Sequence, residues 1–102
     1  MGITTLSLVR SGGTCVDSVE LSPGSALRAV EAFEVEADSV IAQIDPYGNT
    51  YLNRLQIPEF IEGWAAIVRS LGLADGFEDR AVRAFADRVL KDGQLLLKFT
   101  GE

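Results

Sequence analysis

The chain has 102 residues, 47% of them hydrophobic and 24% charged, a balance that belongs to a folded globule and argues against disorder. Fifteen acidic against 9 basic residues give a net charge of −6, which speaks against a nucleic-acid partner, because phosphate binding needs clustered Lys and Arg. With no histidine and a single cysteine, the sequence excludes a Ser-His-Asp or Cys-His site, a His-based metal site and an intramolecular disulfide.

Length sets the expectation of one globular domain over residues 1–102, large enough to build a core without metal or disulfide. The lone cysteine fits a reducing, cytoplasmic setting. The N-terminus lacks a basic stretch followed by an apolar one, so no signal peptide is expected. No apolar run approaches the roughly 20 residues that span a bilayer, so no membrane partner is expected either.

Ile3 to Arg10 alternates weakly, with Leu6 and Leu8 on one side. Ser11-Gly12-Gly13 is a turn signal. Cys15, Asp17, Val19 and Leu21 then share one face of a second run, and the two runs read as a β-hairpin. Cys15 in this pattern reads as a buried small hydrophobe rather than a nucleophile.

Ser22-Pro23 has the form of an N-cap followed by proline at the first helical position. Leu27, Val30 and Phe33 continue as the stripe of a short helix. Glu31, Glu34, Glu36 and Asp38 cluster about its end. Asp38 to Ile44 reads as an interior strand, with Val40, Ala42 and Ile44 on one face and Ile41 and Gln43 on the other.

Asp45-Pro46-Tyr47-Gly48-Asn49-Thr50 is the most turn-specific stretch of the chain. Asp45 can accept from amides just ahead, Pro46 fixes φ, and Gly48 can take φ > 0. The segment is either a rigid connector or a binding loop on a rigid scaffold.

Ile57, Phe60, Ile61, Trp64, Ile67, Val68 and Leu71 recur at helical spacing, with Pro58 in the first turn and Gly72 as the stop. Gly63 inside this helix costs about 1 kcal/mol relative to Ala and implies a close approach. Asp75 and Glu78 resemble a capping box for a further helix with Phe77, Ala81, Phe85 and Val89 on one face. Gln94 to Thr100 reads as a last strand, with Leu95, Leu97 and Phe99 on one face. The order β-β-α-β-α-α-β implies an α+β fold, a mixed four-stranded sheet with helices on one face.

Ile44-Asp45-Pro46-Tyr47-Gly48-x-Thr50-x-x-Asn53-Arg54-Leu55-Gln56, with the ending Phe99-Thr100-Gly101-Glu102, resembles a group of small uncharacterised bacterial proteins. The resemblance spans nearly the whole chain, and its specific part is the central segment. Tyr51-Leu52 departs from the Val-Phe expected there. The group carries no assigned activity, so the resemblance implies only that Asp45, Tyr47, Asn53 and Gln56 are related positions.

No catalytic set emerges from the sequence, and no cofactor or metal is expected. Asp45 with Glu59 or Glu62, or with Asp38, is the nearest approach to a carboxylate pair or a hard-cation site, and the spacing of a calcium loop is absent. The expected function is therefore a non-enzymatic acidic protein-interaction module. An immunity-type inhibitor of a basic toxin and a small regulatory binder are its concrete forms, since acidic charge steers encounter with a basic partner. The alternative is a small-ligand-binding protein or an enzyme using the Asp45–Gln56 segment. The candidate contact residues are Asp45, Tyr47, Asn49, Tyr51, Asn53, Arg54 and Gln56, with an acidic rim at Glu34, Glu36 and Asp38. Oligomeric state is not legible.

Overall fold

The computed structural model of the chain describes residues 3–21, 40–45 and 47–101. The helix expected after Ser22, and the acidic residues Glu31, Glu34, Glu36 and Asp38, lie outside the described residues.

Strands β1 (Ile3–Arg10) and β2 (Cys15–Glu20) form the expected hairpin. Gly13, at φ 98°, takes the left-handed conformation the turn needs. Its N–H bonds the Arg10 carbonyl at 2.7 Å. Pairing slips by one residue between Leu8 and Val9, so Leu8 faces Asp17 while Val9 faces Cys15. That irregularity takes Cys15 off the face that Asp17 and Val19 share, and the thiol is exposed rather than buried.

The Val40–Ile44 stretch is not a strand. Ile41–Gln43 is a turn of 3-10 helix. Val40, Ile41 and Ile44 are buried while Ala42 and Gln43 are exposed, a period of three that puts Ile41 and Ile44 on one side. The third strand, β3, is instead Asn49–Leu52. Helices α1 (Ile57–Leu71) and α2 (Phe77–Lys91) follow, then β4 (Leu95–Gly101).

The fold is α+β; among the described residues four strands form one sheet in the order β2-β1-β4-β3. All three pairings are antiparallel, where the element order predicted a mixed sheet. The reason is topological. Two helices in succession reverse the chain twice between β3 and β4, so β4 returns antiparallel; a single crossover helix would have made it parallel.

Both helices pack on the face formed by Leu6, Leu8, Leu52, Leu97 and Phe99. Phe60 meets Phe99 edge-to-face, with ring centroids 5.3 Å apart. Helix α1 buries Ile57, Phe60, Trp64, Ile67 and Val68 of the stripe read from its period; Ile61 is half-buried against the same core, and Leu71, in the last turn, is exposed instead. The helix closes as a Schellman motif. Gly72 has φ 70°, its N–H bonds the Arg69 carbonyl at 3.2 Å, and the Leu73 N–H bonds the Val68 carbonyl at 2.8 Å. Gly63 answers its sequence signal, because a Cβ there would stand 2.8 Å from Ile41 Cγ1.

Helix α2 buries a stripe rotated from the expected one. Val82, Phe85, Ala86 and Val89 face the core, whereas Phe77 is 77% exposed. The capping also differs. Gly76 is the N-cap, and Asp79, not Glu78, reaches back, its Oδ2 accepting the Asp75 N–H at 2.8 Å. Asp79 is buried and satisfied on both oxygens, by Trp64 at 2.9 Å and by Asp75 and Arg83. The hydrogen bond to Asp75, and then the charge of Asp79, hold the Arg83 guanidinium above its ordinary pKa, so it stays cationic.

Candidate functional site

The segment from Asp45 to Gln56 contains β3, an edge strand, and the turns on either side of it. Its polar side chains are turned on its own backbone. Asp45 Oδ1 accepts the Tyr47 N–H at 2.9 Å, an Asx turn, and Thr50 Oγ1 accepts the Asp45 N–H at 2.8 Å. The Gly48 carbonyl accepts the Gly101 N–H at 2.7 Å and ties the turn to β4. Gly48 does not take φ > 0, contrary to the turn chemistry expected of it. Its requirement is space, since a Cβ there would lie 2.7 Å from Asp45 Oδ2.

The second turn is a reciprocal capping box one turn ahead of α1. Asn53 Oδ1 accepts the Leu55 N–H at 2.9 Å and the Gln56 N–H at 3.3 Å, while Gln56 Oε1 accepts the Asn53 N–H at 2.9 Å. Asn-x-x-Gln before an apolar helical run is the sequence signal for this device, and it was there to be found. Asp45, Asn53 and Gln56 are therefore structural in the first instance, and they stiffen what lies between them.

What the stiffened segment presents is apolar and aromatic. Tyr47 is 57% exposed, Tyr51 48% and Leu55 81%. The sequence gives no signal for the exposure of Leu55, because an isolated leucine in a polar stretch carries no pattern. The Lys98 ammonium stands 5.6 Å from the centre of the Tyr51 ring, close enough for a cation–π contact. Asn49 and Arg54 are exposed. The Arg54 guanidinium lies over Gly93, with Nη1 3.5 Å from where a Cβ there would be, and among the described residues it has no ion-pair partner.

Asp38, one of the carboxylates considered with Asp45, lies outside the described residues. Glu59 Oε2 accepts the Val40 N–H at 3.1 Å, and among the described residues no three Asp, Glu or Cys converge as metal ligands would. A cavity of about 270 Å³ lies at the other edge of the sheet, between β2 and the start of α2, bordered by Leu6, Val19, Leu21, Leu73, Phe77 and Val82 among others. None of its bordering residues belongs to the 45–56 segment. Among the described residues no helix is long and apolar enough to cross a membrane. No family model, no curated protein and no solved structure matches the chain.

Proposed function

We propose that the chain is a non-enzymatic, acidic protein-interaction module whose contact surface is centred on Tyr47, Tyr51 and Leu55. One observation carries this reading: three large side chains stand exposed on a segment whose own hydrogen bonds hold it rigid. Preorganisation lowers the ordering cost of binding, and tyrosines supply amphipathic contact area with few rotamers to freeze. Arg54 and Asn49 add polar contacts at the margin, and Arg54 offers a fork for a carboxylate.

The net charge of −6 supports a basic partner met by electrostatic steering. An immunity-type inhibitor of a basic toxin, or a small regulatory binder, is the concrete form, acting in the cytoplasm where a lone thiol stays reduced. Glu34, Glu36 and Asp38 belong to this proposal as the acidic rim. The experiment is affinity capture on the immobilised chain at low and high salt. A basic protein retained at low salt and released as salt rises agrees with the reading. Recovery of a small-molecule substrate turnover by the pure chain overturns it.

A further inference from the structure

We draw no further inference here: the strongest candidate, the apolar cavity between β2 and the first turn of α2 bordered by Val19, Leu21, Leu73 and Phe77, lies where the described residues stop at Leu21, and nothing in the structure shows what covers it.

Discussion

The indole N–H of Trp64 donates to Asp79 Oδ1 at 2.9 Å inside the core, and this single bond links the middle of α1 to the first turn of α2. Its other oxygen organises the loop between the helices, by accepting from Asp75 and from Arg83 at 3.0 Å. Asp79→Ala strands a buried indole N–H and should destabilise the fold by about 1–3 kcal/mol. Trp64→Ala, which also opens a cavity, should cost about 3–5 kcal/mol. Trp64→Phe combined with Asp79→Ala should cost less than the sum of the two single changes, since each removes the other's partner. Urea unfolding of the four variants and the wild type measures this; additive losses would show that the bond contributes nothing.

Gly63 tests the approach of the 3-10 turn to α1. Alanine inside a helix is ordinarily worth about 1 kcal/mol over glycine. Here the new Cβ meets Ile41 Cγ1 at 2.8 Å, a carbon near the backbone that cannot swing clear. Gly63→Ala should therefore destabilise. In an Ile41→Ala background, where that carbon is gone, the same change should stabilise. Thermal or chemical unfolding of the two pairs reads the reversal of sign.

The sequence made much of the fold legible, and the failures have physical causes. Helix α1 announced itself because seven apolar residues recur over four turns with proline at the start and glycine at the stop. The stretch Val40 to Ile44 misled because five apolar-rich residues satisfy a strand period and a 3-10 period alike. The true third strand, Asn49–Leu52, is short and polar, and its place in the sheet comes from β4 rather than from its own pattern. Phe77 drew the α2 stripe toward itself, while the buried position went to Asp79, which tolerates burial because three donors satisfy it. In the 45–56 segment the sequence pointed to the right stretch for rigidity and did not separate the residues that hold it from those it displays.

That separation is itself testable. Asn53→Ala and Gln56→Ala each remove half of the reciprocal capping box and should cost about 0.5–2 kcal/mol of stability. Their effect on partner binding should follow from lost order alone, so the two variants should lose affinity in proportion to lost stability. Asn53→Ser, which keeps an acceptor for the capped amides, should recover most of both. An affinity loss in Gln56→Ala with unchanged stability would make Gln56 a direct contact instead.

The central claim is that the rigid segment exists to display Tyr47, Tyr51 and Leu55. Calorimetric titration of a captured partner against the triple variant Tyr47→Ala, Tyr51→Ala, Leu55→Ala, with unfolding recorded in parallel, tests it most directly. All three side chains are exposed, Tyr51 the least at 48%, so the variant should unfold within about 1 kcal/mol of the wild type while its affinity falls at least a hundredfold. A triple variant that is stable and binds the partner as the wild type does would contradict the account.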